Sequence, residues 1–308
     1  MAETAAVAVD AGGSKVASGL VSAAGEVLAE RVDVHPAGAR PYIDVALAGA
    51  RAMLAQARSA GIEVVAIGAG FPEYVDGAGT LRSREVLEWD VQPRGALAEI
   101  GAGLPCVVES DVRAAALAEA RCGAGAGLQS FLYVILGTGL SSCLVLGGEP
   151  WAGTRGEAIA LGELGVAAAV DPRWDGNLEQ FAAGSGIARR YAALTGTVTA
   201  GALDVERRAA DGDGAAQQIL DTAGRALGVA LADLVRVLDP AAVIVGGGLG
   251  SAAGVTHRAL AAAYAGRLAS RPGAPPLNRA SLGARAGLVG AGLAAHERAG
   301  RRRAPPRS

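Results

Sequence analysis

The same order of elements occurs twice along the chain, and this repetition restricts the fold more than any other feature. Near the amino terminus, "VAVDAGGSKVASGLV" has the pattern of an apolar strand, a glycine turn and a second apolar strand. Further on, "FLYVILGTGLSSCLVLGG" has the same order. Each half also contains stretches of helical spacing and another short buried strand. Strands that alternate with helices in two similar halves predict two α/β domains, which we expect to face a cleft.

The spacing of apolar residues predicts the elements within each half. Strands are predicted at residues 5–9, 16–21, 27–34, 64–68 and 106–108, and helices at 42–60, 95–100, 112–120, 180–194, 215–238 and 284–300. The first domain then comprises residues 1–115 and the closing helix, and the second comprises residues 116–283. A disordered tail is expected at 301–308, because this segment is terminal and contains proline.

The balance of charge gives no general reason for the chain to bind nucleic acid or an anionic membrane. The net charge is −2 and the isoelectric point is about 6.0. The only basic run, Arg301–Arg303, lies in the terminal "GRRRAPPRS" and is typical of a solvated end. No basic and apolar leader precedes Asp10, and the most apolar predicted helix is interrupted by Asp233 and Arg236. We therefore expect a cytoplasmic protein without a nucleic-acid or membrane partner.

The three cysteines, Cys106, Cys122 and Cys143, are far apart in the chain, and no C-x-x-C pair occurs. This spacing indicates neither a disulfide framework nor a zinc cluster. The pattern favours reduced cysteines that act as small apolar side chains in the cytosol.

Three glycine turns follow buried strands, and their grouping indicates a nucleotide site. They are Gly12-Gly13, Gly137-Thr138-Gly139 and Gly246-Gly247-Gly248, and each lets the backbone approach a ligand closely. Asp10 ends the strand before the first turn, where a carboxylate can hold a metal-bound phosphate. Taken alone, this first turn also fits an ordinary β-hairpin. None of the three turns matches the P-loop or the dinucleotide-binding pattern in its expected place.

An ordered set of motifs resembles the ROK family (repressor, open reading frame, kinase). The set comprises "DAGGSK", "GAGFP", "VDG", "ESD", "ILGTGL", "GELG", "LEQFAAGSGIARRY" and "VLDPAAVIVGGGLG", and it runs from about Val7 to about Gly292. The resemblance implies the actin-like ATPase (ribonuclease H-like) fold, an α/β fold in which two domains hold ATP and a sugar between them. ATP and Mg²⁺ are therefore the implied cofactors.

The resemblance also implies which residues bind ATP. The phosphates and Mg²⁺ would be held by Asp10, Gly12, Gly13, Ser14, Lys15, Gly137, Thr138, Gly139 and Leu140. The adenosine would lie at Gly246, Gly247, Gly248 and Leu249. Asp10 would hold the magnesium ion through water.

Asp111 matches the aspartate of the family's E-N-D motif, which the resemblance implies to be the catalytic base. A base at this position would accept the proton of the attacking hydroxyl during phosphoryl transfer. From the residues alone, a helix N-cap is the preferred interpretation, because "SDVRAAALAEA" begins a helix and Asp is a favoured cap.

The sugar site implied by the same resemblance comprises Gly70, Pro72, Glu73, Ser110, Asp111, Glu163, Val166 and Glu179. Glu179 lies in "LEQFAAGSGIA", a motif that matches along its whole length. Glu163 has an alternative in Glu157, because "GEAIALGELGV" has extra residues between Gly156 and Gly162.

Four features depart from the family pattern. Val166 replaces a histidine that binds the sugar near C1 and C2, and Ser110 replaces an asparagine that binds near C3 and C4. Glu73 replaces a glycine and adds a carboxylate that faces either the cleft or the solvent. The cysteine-containing zinc motif is missing from "DPRWDGNLEQ", so we expect no structural zinc.

These departures favour a sugar with an amine, because Glu73 would attract an ammonium group. We hypothesise an ATP-dependent 6-kinase for kanosamine (3-amino-3-deoxyglucose), an aminosugar of antibiotic biosynthesis, with glucose as the next acceptor. The alternatives are a non-catalytic sugar-binding or regulatory protein and a cyclitol kinase. ROK repressors carry a helix-turn-helix domain ahead of this core, whereas nine residues precede Asp10 here, so we expect no DNA binding. The resemblance also implies a homodimer.

Overall fold

The computed structural model describes residues 3–13, 15–34 and 42–303. The chain divides into two compact units. The first contains Met1–Gly127, Gly148–Ile159 and Ala284–Ser308, and the second contains Leu128–Gly147 and Ala160–Gly283.

The first unit is built on a five-stranded sheet with the order β3-β2-β1-β4-β5. Its strands are β1 (Thr4–Ala11), β2 (Lys15–Val21), β3 (Val27–Val34), β4 (Glu63–Phe71) and β5 (Cys106–Ser110). The predicted meander of β1, β2 and β3 is confirmed, because these strands pair antiparallel in sequence order. β4 joins β1 in parallel, and β5 joins β4 in parallel. The carboxyl ends of β1, β4 and β5 therefore lie at one edge of the sheet.

The helices of the first unit are α1 (Tyr42–Ala60), α2 (Pro93–Ile100), α3 (Asp111–Cys122) and α9 (Ala286–Arg303). The alternation of side chains along β1 separates two apolar layers. Val7 and Val9 belong to the core cluster that includes α1, whereas Ala6 and Ala8 pack against α9. The small side chains on the second face let α9 lie close to the sheet, so close that a Cβ atom on Gly68 would overlap the backbone of α9.

The second unit contains the sheet order β10-β9-β6-β7. Its strands are β6 (Ser130–Leu136), β7 (Leu140–Leu146), β9 (Val243–Gly246) and β10 (Leu277–Arg279), and the short β8 (Glu149–Pro150) belongs to the first unit. β6 and β7 form an antiparallel hairpin, while β9 pairs in parallel with β6 and β10. The hairpin confirms the second strand–turn–strand pattern of the sequence.

The second unit's helices are α4 (Leu178–Ala182), α5 (Gly184–Thr195), α6 (Ala202–Ala210), α7 (Gly214–Leu238) and α8 (Val255–Arg267). A 3₁₀ turn at Leu161–Glu163 precedes them. The single helix predicted at 180–194 is wrong in one respect, because Ala183 has an extended ψ of 165° and separates α4 from α5. α6 and α8 are additional to the predicted elements.

The division into units differs from the predicted domains in two places. α3 lies wholly in the first unit, because it packs on α9 so closely that a Cβ on Gly290 would overlap the carbonyl of Ala114. Gly148–Ile159 also belongs to the first unit, where Arg113 donates to the carbonyl of Gly156.

The chain ends differ from the prediction as well. α9 includes Arg301–Arg303, which were expected in a disordered tail. An ion pair between Arg301 and Glu297, one turn apart, supports this last helical turn. The remaining predicted tail, 304–308, lies outside the described residues. No helix among the described residues is both long and apolar enough to cross a lipid bilayer.

Candidate active site

Two aspartates of the first unit flank one glycine. Asp10 lies near the end of β1, and Asp111 follows β5 directly as the first residue of α3. The strand between them places Gly70 opposite Asp10 and Phe71 opposite Ser110. A Cβ atom on Gly70 would lie 3.4 Å from Cα of Asp111 and 3.9 Å from Oδ1 of Asp10. The strand ends therefore bring together three of the predicted site residues, as expected for a parallel arrangement.

Burial raises the pKa of the Asp10 carboxyl to about 6, while the charge of Lys15 acts in the opposite direction. The carboxylate packs against the first turn of α9, where a Cβ on Gly287 would lie 2.5 Å from Oδ2 of Asp10. A helix N-terminus carries partial positive charge, so the absence of a side chain brings favourable charge close to this carboxylate. Within the part of the chain that the structure describes, no residue donates a hydrogen bond to the carboxylate of Asp10. Its oxygens are therefore available to a hydrated cation.

Asp111 begins α3 but does not cap it. Ser110 is the N-cap, and its Oγ accepts the backbone N–H of Arg113 at 3.4 Å. Oδ1 of Asp111 accepts the N–H of the next residue, Val112, at 2.6 Å. The N-cap of α3 is therefore Ser110, and the interpretation of Asp111 as the cap is wrong. Ser110 is fully buried and serves the helix, which is a different role from the predicted contact with the sugar.

The pKa of Asp111 is raised to about 7, mainly by burial. The charges of Asp10 and Glu73 raise it further, whereas the N–H of Val112 and the charge of Arg113 lower it. A carboxyl group with a pKa near neutrality can accept a proton efficiently at physiological pH. The environment of Asp111 therefore suits a general base.

The turn between β1 and β2 has an exposed glycine backbone. The N–H of Gly12 donates to the carbonyl of Lys15 at 2.9 Å and closes the turn. Gly13 is exposed, and a Cβ built on it would lie 3.7 Å from Cγ1 of Val86. Ser14, which the resemblance places at the phosphates, lies outside the described residues. Gly13 can present its backbone to an anion, as a phosphate turn requires.

The carboxylate of Glu73 was expected to face either the sugar or the solvent, and the structure shows that it is buried within the first unit. Its side chain is 3% exposed and accepts four hydrogen bonds. The donors are the hydroxyl of Ser83 and the backbone N–H groups of Glu85, Val86 and Leu87. A carboxylate has about four lone-pair directions, so this one has no capacity left for a sugar ammonium group. The reason for preferring an amine-bearing sugar is therefore removed.

Arg113 is absent from the predicted site, although it lies two residues after Asp111 and is 1% exposed. Its guanidinium pairs with Glu109 and donates to the carbonyl oxygens of Val75 at 2.5 Å and Gly156 at 2.9 Å. It therefore fixes two loops relative to the start of α3. A single charged residue among the alanines of "DVRAAALA" is the sequence signal that could have identified it.

Gly287 is the second site residue absent from the prediction. The run of small residues in "AGLVGAGLAA" indicates a helix that approaches its neighbours closely. This signal predicts close packing, but it does not specify Asp10 as the neighbour.

In the second unit, the turn between β6 and β7 is fixed by the start of α5. The N–H of Gly184 donates to the carbonyl of Gly137 at 2.9 Å, and the N–H of Ser185 donates to Thr138 at 3.0 Å. Within the turn, the N–H of Gly137 donates to Gly139 at 3.0 Å. The turn that the resemblance assigns to phosphates is therefore held in place by hydrogen bonds from the start of α5.

The third glycine turn is joined to the end of β6. Gly247 has a φ of +81° and approaches Leu136 so closely that a Cβ would overlap its carbonyl oxygen. That oxygen accepts the N–H groups of Leu249 at 3.1 Å and Gly250 at 3.0 Å. Because Leu136 immediately precedes Gly137, the two predicted nucleotide segments of the second unit lie side by side.

Glu179 lies against the same turn. Its Oε2 accepts the N–H of Leu140 at 2.8 Å and would lie 2.9 Å from a Cβ on Gly139. A Cβ on Gly162 would lie 3.4 Å from this oxygen. Glu179 is supplied by α4, whose capping box at Asn177 fixes the start of the helix. The structure thus brings a predicted sugar residue to the predicted phosphate turn.

The two alternatives for the second sugar-binding glutamate lie in different units. Glu163 is exposed and ends the 3₁₀ turn that contains Gly162, which contacts Glu179. Glu157 belongs to the first unit and forms an exposed ion pair with Arg155 at 3.2 Å. Val166 packs on the core of the second unit. Glu163 is therefore the alternative that lies in the same unit as Glu179.

Within residues 3–13, 15–34 and 42–303, no three or more His, Cys, Asp or Glu side chains are grouped to hold a metal ion. A magnesium ion typically needs only one or two protein carboxylates, because water and substrate phosphates supply its other ligands. Asp10, part-buried with a raised pKa, fits that requirement.

Known proteins resemble this chain along most of its length. The model of the ROK family matches residues 6–298. The glucokinase of Streptomyces coelicolor is 31% identical over 320 residues, which cover 94% of this chain and 97% of that protein. The ROK hexokinase of Thermus thermophilus is 34% identical, with a TM-score of 0.79 and coverage of 95% of this chain and 98% of that one. A ROK glucokinase from Streptomyces griseus, solved with glucose and AMPPNP, is 30% identical, with a TM-score of 0.78 and coverage of 95% and 99%.

The two mixed α/β sheets and these structural neighbours define a protein of the actin-like ATPase fold. Within that class, the chain belongs to the ROK family.

Proposed function

We propose that the protein is an ATP-dependent sugar kinase that phosphorylates the 6-hydroxyl of a hexose, with Asp111 as the general base. The observation that supports this most is the environment of Asp111. Its side chain does not cap α3, and its pKa is raised to about 7 by burial and by Asp10. Sugar kinases among the relatives that cover most of the chain support the same reaction class.

In this reaction Asp111 accepts the proton as the sugar oxygen attacks the γ-phosphorus, and the bond from that phosphorus to the ADP oxygen breaks. Phosphoryl transfer needs positioning and neutralisation of charge more than covalent help from the protein. We propose that Asp10 holds Mg²⁺ through water, and that the ion supplies charge neutralisation on the phosphates when it is bound. The carboxylate of Asp10 fits this role, because it is part-buried and a bound cation would offset the burial that raises its pKa.

We propose ATP-binding roles for the glycine turns of both units, each considered within its own unit. The first unit provides the turn with Gly12, Gly13 and Lys15, and the second provides Gly137, Thr138 and Gly139. Gly246, Gly247, Gly248 and Leu249 form the adenosine segment of this proposal. The hydrogen bonds that fix Gly137 and the adjacent third turn support it, because preorganised backbone donors bind anions without further ordering.

For the sugar, we propose glucose first and kanosamine second. The change in order follows from Glu73, which is saturated by internal donors, and from Ser110, which caps α3. Glu163 and Glu179 are the proposed hydroxyl-binding carboxylates, and Gly70 and Pro72 line the sugar from the end of β4. We infer that the enzyme works in the cytoplasm, where ATP is supplied.

The test is a coupled assay of ADP release with Mg-ATP and a panel of glucose, kanosamine, glucosamine, mannose, N-acetylglucosamine and N-acetylmannosamine. We expect glucose to give the highest kcat/KM and the product to be the 6-phosphate. The Asp111→Asn variant is the control and should retain sugar binding while losing turnover. ATP binding without turnover on any sugar would contradict the hexose kinase and favour either a cyclitol acceptor or a sugar-binding regulator.

A further inference from the structure

Glu73 is a buried carboxylate whose charge contributes to the raised pKa of Asp111 but which has no other part in the proposed reaction. Its Oε2 accepts the hydroxyl of Ser83 and the N–H of Glu85 at 3.0 Å. Its Oε1 accepts the N–H of Val86 at 2.9 Å and the N–H of Leu87 at 2.7 Å. Consecutive backbone N–H groups that converge on one anion form a nest, which in other proteins binds phosphate. Here the anion of the nest is a side chain of the same chain.

The segment 83–87 has further anchors at its start. Oγ of Ser83 accepts the N–H of Tyr74 at 2.9 Å, and the carbonyl oxygen of Ser83 accepts Nε1–H of Trp89 at 2.8 Å. The consecutive N–H groups at the other end of the segment point at Glu73. The conformation of that end therefore depends on a single carboxylate.

The segment 83–87 also reaches the predicted phosphate turn. Val86 is 53% exposed, and its Cγ1 would lie 3.7 Å from a Cβ on Gly13. An exposed apolar side chain next to an exposed glycine backbone forms a side wall for whatever binds to that glycine. Val86 holds this position through its own N–H, which donates to Glu73.

We propose that Glu73 is a positioning residue: as the internal anion of the nest, it holds Val86 beside Gly13 and so shapes the wall of the phosphate turn. The proposal rests on the proposed function for the identity of the ligand, which is the triphosphate of ATP. Glu73 itself touches no substrate. Its role is to fix a segment whose backbone would otherwise have three unsatisfied N–H groups.

Substitution of Glu73 separates this role from a merely structural one. Glu73→Ala removes a group of the size of acetate and leaves the nest empty. Acetate is the smallest carboxylate of matching shape, and it can accept the same donors. Acetamide has the same shape, but its NH₂ group would face backbone N–H donors, so it cannot replace the carboxylate.

The experiment compares wild type and Glu73→Ala in the full chain, with acetate or acetamide added. We expect kcat/KM for ATP to fall by about 10²-fold in the variant, because small misplacements at a reacting centre have effects of that size. Acetate should recover at least about a tenth of the lost kcat/KM for ATP and should raise the melting temperature of the variant. Acetamide should do neither. The matched control is Glu119→Ala, another fully buried glutamate, which accepts the N–H of Ala124 at 2.7 Å near the far end of α3. Its activity should not respond to acetate.

A readout independent of turnover uses Trp89, whose indole N–H binds Ser83. In a background of Trp151→Phe and Trp174→Phe, Glu73→Ala should shift the emission of Trp89 and acetate should reverse the shift. If the wild type phosphorylates no sugar, the proposed function fails, but this fluorescence still decides whether Glu73 holds the segment. Should Glu73→Ala not fold, Val86→Gly is the second variant, with an expected rise in KM for ATP and an unchanged KM for the sugar.

Three results would overturn the proposal. The first is a kcat/KM for ATP in Glu73→Ala within about two-fold of wild type. The second is a loss that acetate and acetamide affect equally. The third is a Val86→Gly variant with an unchanged KM for ATP.

Discussion

The two glycine turns that follow β1 and β6 have the same position in their hairpins. The acidic side chain beside each turn, however, comes from a different kind of element. In the first unit, the acid belongs to the strand itself, because Asp10 precedes the turn and has a pKa raised to about 6. In the second unit, the acid comes from α4, because Glu179 accepts the N–H of Leu140 at 2.8 Å. Sequence repetition therefore predicts the backbone of both turns, but the chemistry of each depends on what packs behind it.

The difference also extends to the supports of the turns. α9 brings its N-terminus to Asp10, whereas α5 donates from its first N–H groups to Gly137 and Thr138. A helix N-terminus thus faces a carboxylate in one turn and backbone carbonyls in the other. We infer that the first hairpin holds a cation through Asp10 as well as phosphate through its turn, whereas the second binds phosphate through its backbone alone.

The largest effect on activity is expected from substitution of Asp111, which lies in the first unit. Asp111→Asn keeps the shape and the acceptor for the N–H of Val112 but removes the proposed base. We expect kcat to fall by about 10³-fold with little change in the Kd for sugar, since general bases contribute effects of this size. Steady-state kinetics and calorimetry measure the two quantities. An unchanged kcat would place the base elsewhere.

Asp10→Asn is expected to have the second largest effect on activity. We expect kcat to fall by about 10²-fold and the Mg²⁺ concentration for half activity to rise, because a neutral amide is a weaker partner for a hydrated cation. The measurement is a titration of activity with Mg²⁺ at fixed ATP. If Thr138→Ala in the second turn shifted the Mg²⁺ requirement by as much, the contrast between the turns would be wrong.

Glu179→Gln tests the turn of the second unit, and its expected effect on activity is smaller. The amide of the variant can keep the bond to Leu140, but it loses the charge that we propose to bind a sugar hydroxyl. We expect the KM for sugar to rise by about ten-fold while the KM for ATP changes little, in line with a charged hydrogen bond. Glu157→Gln is the control and should leave both values unchanged. A rise in sugar KM in that control would favour the alternative assignment of Glu157.

The smallest effect concerns stability. Folding raises the pKa of Asp111 from its ordinary 3.8 to about 7, so the folded state binds more protons between these pH values. The unfolding free energy therefore has a contribution from Asp111 that is present at acidic pH and is lost as pH rises through about 7. Asp111→Asn should raise the melting temperature at about pH 8 more than at about pH 4. Equal shifts at both pH values would contradict the raised pKa.

Local pattern was sufficient to predict the hairpins, because alternation of apolar residues and glycine turns is read from adjacent positions. It also located Asp10 and Asp111, which lie where strands end. It did not identify Ser110 as the N-cap of α3, since either of two adjacent polar residues can start a helix and the backbone at Ser110 decides between them.

The remaining errors concern contacts between distant positions. The four donors to Glu73 come from residues ten to fourteen positions later, and no local pattern connects them. Likewise, the interruption at Ala183 depends on Gly184, which binds the turn at Gly137 rather than continuing α4. The missed helix α6 has four charged residues, and its buried face consists of Ala202, Val205 and Ala209, so few apolar residues mark it in the sequence.

The most direct test of the account is the pH dependence of hexose phosphorylation at saturating Mg²⁺, from about pH 5.5 to about pH 8.5. If Asp111 is the base, kcat/KM for the sugar should rise with pH through an ionisation near the Asp111 pKa of about 7. The midpoint should move to lower pH in Asp10→Asn, because the charge of Asp10 contributes to the raised pKa. A profile that is flat across this range, or a midpoint unaffected by Asp10→Asn, would contradict Asp111 as the base.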